Sequence, residues 1–254
     1  MITIKSERDL KIMRQACVIA ASVLDELCQI AREGISTWEI DRAAKEIMEK
    51  HSCRSASYKY KCGSLRYPGY ICLSVNDEVI HGIGNPQRVL KSGDIVSMDV
   101  CVVYQGFVGD NTKTVVIGEA SPEVSRLVKI TEESMHVGIS KALAGNRVGD
   151  ISAAIQKYVE DAGYSVIREF TGHGVGKKLH EEPEVPNYGK AGTGALLRPG
   201  MTLAIEPMVA MGKPDIKIGS DGWTVYTLDG KPSSHSEHTI LITDGEPEIL
   251  TVCK

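Results

Sequence analysis

The sequence lacks the features that mark several common classes of protein. None of its apolar runs is long enough to span a bilayer, and the first residues carry acidic side chains without the apolar core of a signal peptide. Its lysines and arginines form no continuous run, and the formal net charge is −4. We therefore expect a cytoplasmic protein that has neither DNA nor a membrane as its partner.

The chain also lacks the cysteine spacing of a disulfide framework or a zinc knuckle. Its seven cysteines are an odd number and include no C-x-x-C pair, so we expect reduced thiols. It has no Pro/Ser-rich linker and no low-complexity tract. With 42% hydrophobic and 24% charged residues, the composition is that of a globular protein with a full core, and we expect a single domain over residues 1–254.

What the sequence does contain is one short pattern that occurs twice. Each copy has a His-Gly-x-Gly stretch, a Leu-x-x-Gly stretch followed six residues later by an acid, and an acid two residues before a threonine. Internal repetition predicts two similar units packed against each other, here about 6–118 and 121–254. The matched positions are His81 and His173, Asp99 and Glu206, and Asp110 and Glu237.

Helix signals precede strand signals in both halves. The first two helices open with a serine and an acid three residues on, which is a capping box, and the third opens with Ser121-Pro122. This order predicts an α/β (α+β) fold with pseudo-two-fold symmetry. The four predicted helices cover 6 to about 34, 36 to about 50, 121 to about 144, and about 150–161.

A β-hairpin is expected between the first two helices and the third. Residues 95–104 alternate, with valines and a methionine on one face and Asp99 and Cys101 on the other. If Gln105-Gly106 is a two-residue turn, Cys101 lies opposite Asp110, so that Asp99 and Asp110 share one face. A slip of one residue would send Asp110 to the opposite face.

The carboxylates and histidines of the two copies suggest a metal site. Carboxylate oxygen and imidazole nitrogen suit divalent manganese, iron, cobalt and zinc, and two such ions can activate a water molecule for hydrolysis. Plainer interpretations remain open at this stage. Asp99 could be a turn acid, Glu206 could pair with Arg198, His173 and His180 could be exposed loop residues, and Cys72 could be a thiol nucleophile or a buried pocket thiol.

The ordered set of motifs resembles type I methionine aminopeptidases over essentially the whole chain. The resemblance implies the pita-bread fold, a curved, mostly antiparallel sheet with helix pairs on its outer face. Two stretches depart from the family pattern, Leu179 and residues 61–66. The motifs that carry the resemblance are residues 76–82, 93–100, 109–110, 172–176, 180–183, 200–208, 221–224 and 237–239.

The resemblance also implies a role for each matching residue. Asp110 and Glu237 would bridge two divalent ions, which could be Co, Mn, Fe, Zn or Ni, and Glu206 would also carry the proton from water to the leaving amine. His81 and His180 would contact the substrate and the tetrahedral intermediate. The five implied ligands are Asp99, Asp110, His173, Glu206 and Glu237; the implied pocket residues are Cys72, Tyr67 and Trp223; and Asn76 and Ser233 match positions near a monovalent cation.

The implied activity is hydrolytic removal of the N-terminal methionine from nascent polypeptides when the second residue is small. The resemblance further implies a monomer that meets its substrates transiently at the ribosome. Two rival functions are a proline-specific peptidase of the same fold and a metal-free binding module. The first usually carries a large additional N-terminal domain, and the second would be favoured by loss of a ligand, whereas all five are present.

Overall fold

The computed structural model describes residues 2–253, so Met1 and Lys254 of the expected domain lie outside the described residues. Its helices are Glu7–Ile30 (α1), Thr37–Lys50 (α2), Pro122–Ile139 (α3) and Val148–Asp161 (α4). The strands of the first half are Arg54–Ser55 (β1), Lys61–Cys62 (β2), Leu65–Arg66 (β3), Cys72–Val75 (β4), Glu78–Ile80 (β5), Ile95–Tyr104 (β6) and Phe107–Val116 (β7). Those of the second half are Ser165–Val166 (β8), Gly172–Gly174 (β9), Glu181–Val185 (β10), Thr202–Ile205 (β11), Met208–Ala210 (β12), Ile216–Ile218 (β13), Val225–Thr227 (β14), Ser233–His235 (β15), Glu237–Leu241 (β16) and Glu248–Ile249 (β17).

The helix starts agree with the sequence signals. Both predicted capping boxes form, with Ser6 accepting from the Asp9 N–H and Ser36 from the Glu39 N–H. The predicted ends are less accurate. Helix α3 stops at Ile139 and not near Ala144, because the following residues form tighter turns in which N–H groups bond carbonyls three residues back.

The main sheet runs across both halves in the order β1-β6-β7-β16-β11-β9-β10, with β4 on β6 and β17 on β16, and its pairings are antiparallel. The hairpin β6–β7 has the predicted register, with Tyr104 opposite Phe107 and Cys101 opposite Asp110. Both turn residues, Gln105 and Gly106, have positive φ, as a two-residue hairpin turn requires. The two halves meet where β7 pairs with β16.

Equivalent hydrogen bonds recur in the two halves. The N–H of Gly34 donates to Leu90, and the N–H of Gly145 donates to Leu197. Both glycines have positive φ, close to 85° and 92°, which lets the chain reverse after α1 and after the turns that follow α3. The repeated sequence pattern therefore corresponds to a repeated structural unit of two helices and an antiparallel strand pair.

The cores lie on the helix side of the sheet. Val96, Met98, Val100 and Val102 of β6 are fully buried against α1 and α2, while the corresponding cluster of the second half joins α3 and α4 to β11 and β16. The acids of β6 and β7 face the other way. Among residues 2–253, no helix is long and apolar enough to cross a membrane.

Candidate metal centre

The β6–β7 hairpin brings Asp99, Cys101 and Asp110 together on the face opposite the helices. Asp99 and Cys101 are two residues apart on β6, so they point the same way, and Asp110 is the cross-strand partner of Cys101. One possible ligand atom from each of the three residues lies within 4.8 Å of those from the other two. The predicted convergence of Asp99 and Asp110 is therefore present in the structure.

The second half brings its own acids and a histidine to the same place. Glu237 begins β16 opposite Thr112 of β7, whose hydroxyl donates to Glu237 Oε2 at 3.0 Å. His173 on β9 pairs with Ala204 of β11 and is buried, so it is not an exposed turn residue. Its Nε2 lies 3.8 Å from Asp110 Oδ2. This contact joins the two halves of the chain.

Glu206 lies in a break between two strands. The sequence suggested an acid inside one apolar strand, but β11 ends at Ile205 and β12 begins at Met208, because Pro207 has no N–H to continue the ladder. The side chain of Glu206 still reaches the cluster, with Oε1 3.3 Å from His173 Nε2. It makes no ion pair with Arg198 among the described residues, so the salt-bridge interpretation is wrong.

The hydrogen bonding of His173 turns an imidazole lone pair toward the neighbouring acids. Its Nδ1 lies 2.9 Å from the carbonyl of Gly174, which can only accept, so Nδ1 carries the proton. Burial lowers the pKa of His173 to about 3, so the ring is neutral and its Nε2 lone pair faces Asp110 and Glu206. Lone pairs and carboxylates that face one another repel unless a cation lies among them.

Burial and mutual repulsion both raise the pKa values of the clustered acids. Burial, then the charge of Asp99, raises the pKa values of Asp110 and Glu206 well above their usual range. Burial, then Asp110, does the same to Glu237, whose Oε1 is buried without any partner in the described chain. Oxygen and imidazole ligands in this arrangement fit divalent first-row ions.

The cluster borders a cavity of about 410 Å³. The cavity has no lysine or arginine among its lining residues in the part of the chain that the structure describes. Its apolar walls suit an unbranched, uncharged side chain. All the residues predicted to act in catalysis or to line the pocket border it: His81, His180, Glu206, Cys72, Tyr67 and Trp223.

Tyr67 and Phe170 hold the segment that carries His81. The Tyr67 hydroxyl donates to the Gly82 carbonyl at 2.6 Å, and the Tyr67 ring packs edge-on against Trp223. The His81 ring packs edge-on against Phe170, and His81 itself has a positive φ of 58°. A non-glycine residue held in this conformation is often found at functional sites.

His180 is held by a tyrosine from the other half of the chain. The hydroxyl of Tyr60 lies 2.8 Å from His180 Nδ1, and the ring of His180 packs edge-on against His173. Burial lowers the pKa of His180, so the ring is neutral. A neutral ring whose Nδ1 accepts from Tyr60 has its proton on Nε2, where it can donate to a ligand.

Cys72 is a buried thiol that borders the cavity. It lies opposite Asp99 in the β4–β6 pairing and is buried. Burial, then the neighbouring Asp99 charge, raises the pKa of its thiol well above the usual range, which disfavours a reactive thiolate.

Asn76 and Ser233 are adjacent, since the Ser233 N–H donates to the Asn76 carbonyl at 2.9 Å. The Asn76 side chain also connects to the backbone and side chain of the segment before β6, accepting from the Ile95 N–H and donating to Asp94. The structure thus brings together the two positions matched to a monovalent cation, although both are already engaged in hydrogen bonds.

Sequence reasoning missed four residues of this site: Tyr60, Phe170, His235 and the thiol of Cys101. His235 is buried, and its Nε2 lies 3.5 Å from Glu206 Oε2 and has no hydrogen-bond partner among the described residues. The sequence could have indicated His235, because it lies two residues before the predicted ligand Glu237. Tyr60 and Phe170 offered none, because their contacts join segments far apart in sequence.

Comparison with known proteins agrees with this geometry. The chain is 48% identical to methionine aminopeptidase of Clostridium perfringens and 46% identical to that of Clostridium acetobutylicum, in each case over 100% of both chains. The crystal structure of methionine aminopeptidase from Thermotoga maritima superposes with a TM-score of 0.94 at 43% identity, covering 99% of each chain. The predicted pita-bread fold is therefore confirmed.

The family match covers both halves of the site. A sequence model described as metallopeptidase family M24 matches residues 11–244, a range that contains all five predicted ligands and both predicted catalytic histidines. The chain belongs to metallopeptidase family M24.

Proposed function

We propose that the chain is a metal-dependent aminopeptidase that removes the N-terminal methionine of peptides and nascent polypeptides whose second residue is small. The observation that carries this proposal is the meeting of four carboxylates and a neutral histidine, from both halves, beside a largely apolar cavity whose described lining has no lysine or arginine. Full-length similarity to methionine aminopeptidases supports the same activity.

The ligands of two divalent ions would be Asp99, Asp110, His173, Glu206 and Glu237, with Asp110 and Glu237 shared between the ions. Their mutual repulsion and the unpartnered Glu237 Oε1 support this assignment. When bound, such ions would acidify a water molecule and polarise the scissile carbonyl. Cobalt, manganese, iron, zinc and nickel all fit the donor set. We also propose a monovalent cation near Asn76 and Ser233.

The protein groups around the ions would complete the reaction. Glu206 would take the proton of the attacking water and deliver it to the departing amine, because its carboxylate borders both the ligand cluster and the cavity. His180 would donate from Nε2 to the oxygen that becomes negative, with its Nδ1 accepting from the Tyr60 hydroxyl. His81 would contact the scissile peptide from the side supported by Phe170.

The apolar cavity would hold the methionine side chain. Cys72, Tyr67 and Trp223 supply an uncharged wall, and the Tyr67 hydroxyl already donates to the Gly82 carbonyl. The loop of Trp223 is fixed by Asp221, which accepts from the Trp223 and Thr224 N–H groups. A rigid wall of this kind favours one side-chain shape.

At larger scale, we propose one catalytic domain with pseudo-repeats at about 6–118 and 121–254. It would act as a cytoplasmic monomer that meets nascent chains transiently at the ribosome and has neither DNA nor a membrane as a partner. The active site is complete within one chain, which supports a monomer.

The test is hydrolysis of Met-Ala-Ser and Ala-Pro-Ser by protein loaded in turn with each candidate metal, with the released amino acid identified by mass spectrometry. We expect free methionine from the first peptide and no cleavage of the second. Release of alanine from Ala-Pro-Ser would indicate the proline-specific rival. Inactivity on both peptides with every metal, together with metal-free binding of intact peptide, would indicate a binding module.

A further inference from the structure

The cluster contains a potential ligand with no assigned role, the thiol of Cys101. Its Sγ lies 2.9 Å from Asp110 Oδ1 and 3.3 Å from Asp99 Oδ1. The residue is 5% exposed and lies between the two acids because of the register of β6 and β7. No other side chain of the cluster contacts both aspartates so closely.

A hydrogen bond accounts for only one of these two contacts. A thiol has one proton, so it can donate to one carboxylate, and the second contact then brings a sulfur lone pair against a carboxylate oxygen. With metal–sulfur and metal–oxygen bonds of about 2.3 and 2.1 Å, a sulfur and an oxygen on neighbouring positions of one ion are about 3.1–3.6 Å apart. The 2.9 and 3.3 Å separations are near this range.

The cluster also contains closely spaced ligand atoms, one of them without a partner. Asp99, Cys101 and Asp110 form a group whose ligand atoms all lie within 4.8 Å of one another. Nearby, Glu237 Oε1 is buried without a partner, so the space among these groups contains unsatisfied ligand atoms.

We propose that Cys101 is a sixth protein ligand of the metal centre and binds the ion that Asp99 binds. This inference rests on the proposed function, because it adds to that metal site. On binding, the S–H bond breaks, a metal–sulfur bond forms, and the proton passes to the buffer without any redox change. A sulfur ligand shifts the metal preference of a carboxylate and imidazole site toward thiophilic ions such as cadmium, zinc and cobalt.

The first test is the absorption spectrum of metal-free protein titrated with Co²⁺. Visible d–d bands report that cobalt is bound, and a near-ultraviolet sulfur-to-cobalt charge-transfer band reports a thiolate ligand. We expect both in the wild type. In Cys101→Ser, which changes a single atom, the d–d bands should remain and the charge-transfer band should disappear.

Cys72→Ser is the matched control, because Cys72 is also buried and lies opposite Asp99 on the neighbouring strand. It should retain both bands. A charge-transfer band that survives in Cys101→Ser, or that is lost only in Cys72→Ser, would overturn the assignment. Absence of d–d bands from the wild type would instead contradict the metal centre itself, so the two failures are distinguishable.

The second test does not depend on cobalt. We expect Cys101→Ser and Cys101→Thr to lower the ratio of Cd²⁺ to Mn²⁺ affinity by about tenfold or more, measured by competition with a chelating dye. If Cys101 only donates a hydrogen bond to the aspartates, both affinities should fall by similar factors and the ratio should stay the same. Circular dichroism of each metal-free variant verifies that it is folded.

Discussion

At the scale of single residues, the charges of the proposed ligands are not balanced by any lysine or arginine in the described lining of the cavity. Asp110 shows this most clearly, since it is buried, faces His173 and lies beside Asp99. Removing its charge should relieve repulsion in the metal-free protein and weaken the metal site at the same time.

We therefore expect Asp110→Asn to lose bound metal and peptidase activity together while remaining folded. Metal content is measured by atomic emission after dialysis, activity with Met-Ala-Ser, and folding by circular dichroism. Asp244→Asn changes an exposed acid away from the cavity and should match the wild type. Wild-type metal content and activity in Asp110→Asn would contradict the proposed ligand set.

The two histidines proposed to act in catalysis should differ from the proposed metal ligands in how their variants affect activity and bound metal. His81→Ala and His180→Ala should each lower kcat by about a hundredfold or more, since each would remove a donor to the transition state, while bound metal stays near the wild-type amount. His136→Ala, on the exposed face of α3, is the matched control and should leave kcat unchanged. Loss of an ion from either cavity variant would mean that the residue is a metal ligand.

Local sequence patterns predicted contacts within elements better than contacts between them. The positions of Asp99 and Asp110 followed from strand alternation and a two-residue turn, both of which are local. The contact between Tyr60 and His180 spans 120 positions and has no local signature. Likewise, the break at Glu206 arises from the proline after it, within a stretch that otherwise reads as one strand.

At the scale of elements, the site depends on how closely α1 packs against the hairpin. Gly109 precedes Asp110 on β7, and a Cβ placed there would lie 2.3 Å from the Ala16 carbonyl oxygen of α1. Glycine is therefore required by a close approach between backbones and not by an unusual φ.

Gly109→Ala should push α1 away from β7 and lower the free energy of unfolding by about 1–3 kcal/mol or more. Denaturant unfolding of the metal-free protein measures the change. Gly245→Ala, where a Cβ would have no neighbour closer than 3.9 Å, should be nearly neutral. Equal stability of the two variants would show that the helix and hairpin are less tightly packed than the structure indicates.

At the scale of the whole molecule, metal-free stability should depend on pH through the buried acids. A carboxyl whose folded-state pKa is raised keeps its proton in the folded chain after the unfolded chain has lost it, so stability falls as pH rises. Burial lowers the pKa values of His81, His173 and His235 to about 4, 3 and 4. These histidines therefore contribute to the pH dependence of stability only at pH values below about 6.5, the pKa of histidine in the unfolded chain.

Between about pH 6.5 and about pH 8.5, metal-free wild type should therefore lose stability more steeply than Glu237→Gln, which lacks one raised carboxyl. Thermal unfolding in the presence of a chelator measures both slopes. Added Mn²⁺ should stabilise the wild type more at the higher pH, because its ligands must be deprotonated to bind. Parallel slopes for the two proteins would contradict raised pKa values of the acids in this cluster.

The pairing of β7 with β16 has a consequence for the order in which the protein becomes functional during its own synthesis. The hairpin with Asp99 and Asp110 is made early, whereas Glu237 emerges only with β16 in the second half of the chain. A partly synthesised copy therefore presents two aspartates and a thiol without the groups that complete the site. Ions captured at that stage would be weakly held, and the proposed ligand set can close around them only after β16 has paired with β7. On the proposed ligand set, stable metal binding would therefore come late in biosynthesis.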